Sequence, residues 1–406
     1  MTEARAERHR LSDAHLPDAH LLDWLQLTRS DNIGPRTFQS LLQRFGSATA
    51  ALNALPRLIA KQSGARAIRL AVREDCEREL DMLRRKGGQF LTLDDSAYPQ
   101  ALRAIDAPPP VIAVLGNLDV LARPMVAIVG SRNASVYGAK FATATAQELG
   151  EAGFVIASGL ARGIDESAHR ASLATGTVAV LAGGLDKIYP AENVPLAEAM
   201  CERGAVISEM PLAWVPRGRD FPRRNRIVSG LALGTVVVEA ARRSGSLITA
   251  RYANEQGREV FAVPGSPFDP RAEGTNDLLR QGATLCTRSA DVIEALEPLM
   301  VTGPQRQGAQ AASDEDAPDL FEAIAPRDGA DETVSQQPLA PAFARSVVPQ
   351  DFVERLRALL GPSPVSIDDL VRVTGRPVAE VQAAILELDL QGAIGRQGGN
   401  RITLMP

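Results

Sequence analysis

Between Met125 and Val263 the chain repeats one pattern: a short apolar run, a polar turn, then a stretch with helical spacing. The apolar runs fall at 125–129, 154–158, 177–181, 205–208, 235–239 and 259–263, and the helix-like stretches include 139–152, 164–174 and 246–257. Apolar runs this short, without alternation, read as strands buried on both faces, the condition of a parallel sheet covered by helices. Strand and helix alternating at this spacing are the signature of a doubly wound parallel α/β sheet. Ligands of such sheets lie beyond the carboxyl ends of the strands, so function is to be sought in the loops that follow these runs.

Those loops are rich in small polar residues and arginine. The first is Gly130-Ser131-Arg132, where glycine permits a sharp turn, Ser131 and nearby N–H groups can hold an anion, and Arg132 adds a forked cation. The second run ends in Ser158-Gly159-Leu160-Ala161-Arg162-Gly163. After the fourth comes PLAWVPRGRDFPRRNR, Pro211 to Arg226, with Arg217, Arg219, Arg223, Arg224 and Arg226 against the single acid Asp220. The fifth leads into AARRSGS, Ala240 to Ser246, before a helix near Leu247. Five arginines within ten residues exceed the needs of one nucleotide. They suit a chain of phosphates, with Phe221 among them as a platform for a base.

Other chemistries lack their motifs. No GxGxxG follows the first run, and Gly138-Ala139-Lys140-Phe141 is not a Walker loop. His9, His15 and His20 lie near the N-terminus, leaving His169, which reads as a local partner of Asp165 four residues earlier. Ser131, Ser158, Ser208, Ser244 and Ser246 have no evident base. Glu209 and Glu239, expected to end adjacent strands, have no second feature that makes them an acid–base set. Cys76, Cys201 and Cys286 are scattered, so neither disulfides nor structural zinc is expected, and no metal-ligand cluster is visible. These residues describe a binder rather than an enzyme.

The net charge of −5 hides an uneven distribution. Residues 313–332 carry eight acids and only Arg327 as a base; setting that segment aside leaves a chain of net +2 with its basic charge clustered. The segment belongs to a Pro-, Ala- and Gln-rich stretch, 298–350, that reads as a linker. Residues 1–20 read as a disordered leader. Residues 21–85 show helical spacing and are expected to form a small helical domain, and 86–297 the core. Within the first of these, Asn32-Ile33-Gly34-Pro35-Arg36 resembles half of a helix-hairpin-helix turn that grips a DNA phosphate; an ordinary helical connector accounts for it equally well. Residues 351–406 give three helices and two short runs joined through Gly398-Gly399-Asn400, the pattern of a winged helix. Its third helix, 377–391, carries Glu380, Glu387 and Asp389 and no Lys or Arg, which suits protein contact or a structural role better than a major groove. The chain lacks both a membrane-length apolar run and a signal-peptide pattern, so a cytoplasmic protein without membrane contact is expected.

Collinear motifs then carry a resemblance. VAIVGSRNAS, VIASGLARGIDESAHRASL, TVAVLAGGLDKIYPAEN, ISEMP, FPRRNRIVSGLA, VVVEAARRSGSLITARYANEQGREVFAVPG and GTNDLLRQGA closely resemble the DNA-processing protein A (DprA/Smf) family over about residues 90–297. The flanking regions are similar to the SAM-like or helix-hairpin-helix domain and the winged helix of its longer members. The resemblance implies a single-stranded-DNA-binding protein of natural transformation that protects incoming DNA and helps load the RecA recombinase. It also implies dimerisation through an extended Rossmann-type core and no cofactor. Carried over by position, the pocket is Ser131, Arg132, Ser158, Gly159, Phe221, Arg224, Asn225, Ser244, Gly245, Ser246 and Thr249. Gly218 stands three residues before Phe221, where a basic side chain is expected, which passes that role to Arg217 or Arg219. The competing reading is a phosphoribohydrolase-like, Rossmann-type nucleotide-processing enzyme, because Gly230 to Thr235 before Glu239 distantly resembles that site; the PGGxGTxxE motif itself is absent.

Overall fold

The computed structural model describes residues 18–59, 69–301, 350–360, 365–397 and 401–405. The leader as far as residue 17, most of the linker and the turn at 398–400 lie outside the described residues.

Four helices come first: α1 (Asp18–Arg29), α2 (Pro35–Phe45), α3 (Ala48–Ile59) and α4 (Arg73–Arg85). Trp24, Leu25, Phe38 and Leu41 form their common core. The turn between α1 and α2 places Asn32 in the left-handed region, φ 64°, a conformation that asparagine adopts more readily than other side chains.

The core follows as β1 (Gln89–Thr92), α5 (Gln100–Arg103), β2 (Val111–Gly116), β3 (Met125–Gly130), α6 (Val136–Glu151), β4 (Val155–Ser158), α7 (Ile164–Ala171) and β5 (Thr177–Val180). It continues through α8 (Val194–Met200), β6 (Ala205–Ser208), α9 (Asp220–Leu231), β7 (Gly234–Val238), α10 (Gly245–Glu255), β8 (Glu259–Ala262), α11 (Glu273–Arg280), β9 (Thr284–Leu285) and α12 (Ser289–Val301). One nine-stranded sheet results, in the order β1-β2-β6-β5-β4-β3-β7-β8-β9. The pairs from β6 to β9 are parallel, while β1–β2 and β2–β6 are antiparallel.

Successive residues of β3 enter opposite layers. Val126 and Ile128 pack with Ala142, Leu149 and Ile164 of α6 and α7, while Met125, Ala127 and Val129 pack with Ile227, Leu231 and Ala250 of α9 and α10. A strand covered on both faces has no use for polar alternation, which is why the apolar runs are continuous. The order of strands reverses between β3 and β7, and this switch point is the crevice where such sheets receive ligands.

The C-terminal unit comprises α13 (Gln350–Leu359), β10 (Val365–Ser366), α14 (Ile367–Thr374), α15 (Val378–Leu390), β11 (Ile394–Gln397) and β12 (Arg401–Leu404), with sheet order β10-β12-β11. Its α15 is buried on two sides. Val381, Ile385 and Leu388 face the unit's own core, while Leu386 and Leu390 join the core of the N-terminal helices. Thr37 Oγ1 of α2 donates to Asp389 Oδ2 at 3.3 Å. The helix at the recognition position is thus committed to an intramolecular contact, in line with its lack of basic residues.

Candidate nucleic-acid interface

Sequence reading treats 211–226 as one basic loop, but from Asp220 onward it is helix. Asp220 lies in the first turn of α9, where an acid complements the helix dipole, and Pro222 suits a first turn because its missing N–H has no partner there anyway. The Asp220 carboxylate also collects the Trp214 Nε1–H at 2.9 Å and the Arg217 N–H at 2.8 Å, folding the preceding loop onto the helix start. The five arginines are thereby sent in different directions.

Arg217 and Arg219 stay on the exposed loop, the Arg217 guanidinium 4.7 Å from the Trp214 ring. Arg224 points into the protein and is 6% exposed; its Nη1 donates to Val180 O at 2.8 Å. Gly159 makes room for it, because a Cβ there would lie 1.8 Å from that same Nη1. Arg223 and Arg226 turn away from the sheet's switch point and grip Glu209, Arg223 Nε at 2.8 Å from Oε1 and Arg226 Nη2 against Oε2. Arg29 of α1 donates to Glu209 O at 3.1 Å and pairs with Glu79 at 2.9 Å, and Glu79 in turn accepts the Leu212 N–H. That network fastens the helical domain to the core.

At the switch point the picture is the reverse. Arg132 is exposed, has no ion-pair partner among the described residues, and lies over Phe221 at 5.2 Å from its centroid. Tyr189 meets the same Phe221 edge-on at 5.8 Å. Gly130 lets the strands close beneath, since a Cβ there would stand 1.9 Å from Val238 O. Arg132 is near enough to Arg224 to help lower its pKa, though burial is the larger cause; at about 10 the group stays cationic at neutral pH. The nearest counter-charge is Asp165, buried and accepting the Gly159 and Ala161 N–H groups at 3.1 and 3.3 Å. Burial pushes the Asp165 pKa up, with Arg224 opposing. Two guanidinium groups therefore face one acid, a local excess of positive charge.

The other expected site residues divide between rim and underlayer. Ser244 caps α10, its Oγ 2.7 Å from Ser246 Oγ, and Asn225 Nδ2 donates to Gly245 O at 3.2 Å, tying α9 to that helix start. Gly245 is exposed with open space around it, whereas Ser246 and Thr249 are largely covered. Ser131 turns its hydroxyl to the Asn133 N–H at 3.1 Å and its own N–H to Val238 O. Ser158 is fully buried, its hydroxyl donating to Ile128 O at 2.6 Å, so it locks β3 to β4 below the rim. Arg162 is exposed and pairs with Glu192 at 2.5 Å. Arg132, Arg224, Phe221, Asn225 and the start of α10 are brought together; Arg223 is not.

Two expectations about acids need correcting. Glu209 and Glu239 do not end adjacent strands: β5, β4 and β3 separate β6 from β7. The Glu239 carboxylate accepts the Ser135 N–H at 2.8 Å and its hydroxyl, occupying the start of α6. Nor does His169 pair with Asp165. Its Nδ1 meets Thr177 Oγ1 at 2.6 Å, and Thr177 Oγ1 is 2.8 Å from Ile156 O, to which it donates. The histidine must then donate through Nδ1, a neutral tautomer, and burial followed by the Arg224 charge depresses its pKa to about 3.

The loop Asn32–Arg36 also has a placement that sequence could not supply. Gly34 and Pro35 line a small cavity with Pro110, Val111, Glu209 and Arg223, and Arg36 pairs with Asp106, so the turn is packed toward the core.

Comparison with known proteins agrees with this architecture. Residues 89–297 match the family model for DNA recombination-mediator protein A, 18–81 that for the DprA-like N-terminal HHH domain, and 346–400 that for the DprA winged helix domain. The chain belongs to the DprA/Smf family. It is similar to protein Smf of Synechocystis, 33% identical over 93% of this chain and 97% of that one. DNA processing protein DprA of Bacillus subtilis is 44% identical over 54% of this chain and 75% of its own. The X-ray structure of DprA from Streptococcus pneumoniae superposes with a TM-score of 0.56 and 32% identity, covering 67% of this chain and 95% of that chain. Among the described residues no helix is long and apolar enough to cross a membrane.

Proposed function

We propose that this DprA/Smf family member binds single-stranded DNA without sequence preference along the carboxyl rim of its sheet. It does so as a recombination mediator that delivers the strand to a RecA recombinase, in the cytoplasm and without catalysis. The observation that carries the reading is the unpaired Arg132 over Phe221, backed by the buried Arg224, at the switch point. A phosphate reaching Arg132 meets two cations against one acid, while Phe221, Tyr189 and the guanidinium plane offer surfaces on which a base can stack. Sequence neutrality follows from the same inventory, since aromatic stacking and phosphate contacts carry no base code. A nucleotide-processing enzyme would need Glu239 free, and that carboxylate is spent on Ser135. Homodimerisation through the core and hand-over to RecA rest on family membership, and light scattering with a recombinase-loading assay tests both.

The direct test titrates single- and double-stranded oligonucleotides across salt. Each neutralised phosphate contributes about −0.7 to the slope of log affinity against log salt for a single strand. Arg132→Ala is expected to weaken binding to all sequences alike and to flatten that slope by roughly 0.7, with thermal stability unchanged. Wild-type affinity and slope in this variant would remove the switch point from the interface.

A further inference from the structure

The rim does not end at the switch point. Beyond β3 it continues over β7 and β8, and the loops there hold three side chains with no structural duty. Arg242 and Arg243, after β7, are exposed and enter no ion pair or hydrogen bond among the described residues. Phe268, after β8, is 96% exposed. A ring this open adds little to the stability of the fold, and beside the unpaired guanidinium groups of the neighbouring loop it offers a face on which a base can stack.

The loop that carries Phe268 is built to hold it still. Asn276 of α11 bonds both the N–H and the carbonyl of Gly265, at 3.2 and 3.0 Å. Ser266 caps the Phe268 N–H, and Arg271 forks onto Asp269 at 3.0 and 2.9 Å. Asp277 is likewise answered by Arg280. Glu273 alone remains to face Arg242 across the open cleft that both line with Pro267, and Arg243 keeps the balance positive.

Strand order turns these contacts into a line. Trp214 and Arg217 follow β6, Arg132 follows β3, Arg242 and Arg243 follow β7, and Phe268 follows β8. Neighbouring strands are about 4.8 Å apart, so β3 and β8, whose loops carry Arg132 and Phe268, stand roughly 10 Å apart, and the row from β6 to β8 spans roughly 24 Å. That is the length of about four to seven nucleotides of a single strand.

We propose that Phe268, with Arg242 and Arg243, forms a second stacking and phosphate subsite that takes the single strand after it has passed Phe221. This rests on the single-stranded-DNA reading above and extends it across the switch point. The test uses the full chain with oligothymidylates of 2 and 20 nucleotides, followed by fluorescence anisotropy, since a dinucleotide is too short to occupy both subsites. Phe268→Ala is expected to weaken the 20-mer roughly 5- to 150-fold and leave dinucleotide binding at the first subsite unchanged, whereas Phe221→Ala weakens both. Replacing Arg242 and Arg243 together by Ala should flatten the salt slope for the 20-mer by about 1.4 and not for the dinucleotide. Wild-type binding of the 20-mer by both variants overturns the second subsite and leaves the first reading standing. So does a Phe268→Ala chain that loses self-association in light scattering and weakens both lengths equally, because the ring then belongs to a contact with a second copy. A wild-type chain that binds neither length overturns both readings.

Discussion

Helix α9 shows arginines to two neighbourhoods that treat them oppositely. On one flank Arg223 and Arg226 close on Glu209, and Arg29 reaches the carbonyl of that same residue, so acid and base are matched. On the other flank Arg224 faces both Asp165, which is already engaged by two backbone N–H groups, and the second cation Arg132. The first arrangement is finished as it stands and holds domains together. The second has charge left over, and left-over charge at a switch point is what a polyanion can use. The contrast is sharpest in Glu209→Ala, the largest effect expected. Removing a carboxylate that is 5% exposed strands Arg226 and frees Arg223, which should cost about 3–5 kcal/mol in urea unfolding. Affinity for single-stranded DNA, measured per folded molecule, should hold. Full stability with lost DNA binding would reverse the roles assigned to the two flanks.

Acid separates the flanks a second way, because the one buried histidine among the described residues, His169, lies under the rim. His169 is neutral in the folded chain, with a pKa of about 3 against roughly 6.5 when unfolded. Below pH 6.5 the unfolded chain takes up a proton that the folded chain refuses. Stability is therefore full above that pH and falls as pH drops, by about 1.4 kcal/mol per unit, or about 2 kcal/mol by pH 5. Asp165, its pKa raised by burial, works in the opposite direction on acidification. Comparing wild type with His169→Gln isolates the histidine: the variant should lose close to one proton from the slope of unfolding free energy between pH 5 and 6.5. Equal slopes would mean that the imidazole is not held neutral. Next in size is Phe221→Ala, expected to cost roughly 1–3 kcal/mol of DNA affinity with an unchanged salt slope. A change confined to salt dependence would make the ring a spacer for Arg132 rather than a platform.

The strands were legible because burial on both faces leaves only one kind of residue possible. The runs at 125–129, 177–181 and 205–208 coincide with β3, β5 and β6 to within a residue. Arg132 and Phe221 were legible for the same local reason, a cation after a buried strand and a ring among cations. What the sequence hid was direction. Arg223 and Arg224 are neighbours in the chain, yet on a helix they point about 100° apart, one to Glu209 and one beneath Gly159. Reading 220–226 as loop erased that difference. Strand order was hidden as well, which is how Glu209 and Glu239 came to look adjacent. Phe268 carries no sequence signal because the nearest base, Arg271, is matched by Asp269; Arg242 and Arg243 arrive from the neighbouring loop only once β7 and β8 pair.

Arg223→Ala sets the smallest expected effect against that background. Arg223 is itself about half exposed and Arg226 still answers Glu209 when it is removed, so the loss in stability should fall within about 1 kcal/mol. Its charge is already answered, so a phosphate gains little from it, and the salt slope for single-stranded DNA should move by much less than the roughly 0.7 expected of Arg132→Ala. The two variants combined should then resemble Arg132→Ala alone. If instead Arg223→Ala flattens the slope as far as Arg132→Ala does, Glu209 must release this arginine when DNA arrives. The two flanks of α9 would then be a single surface whose inner half is unlocked by its ligand, and the division between structural and binding arginines would hold only for the free protein.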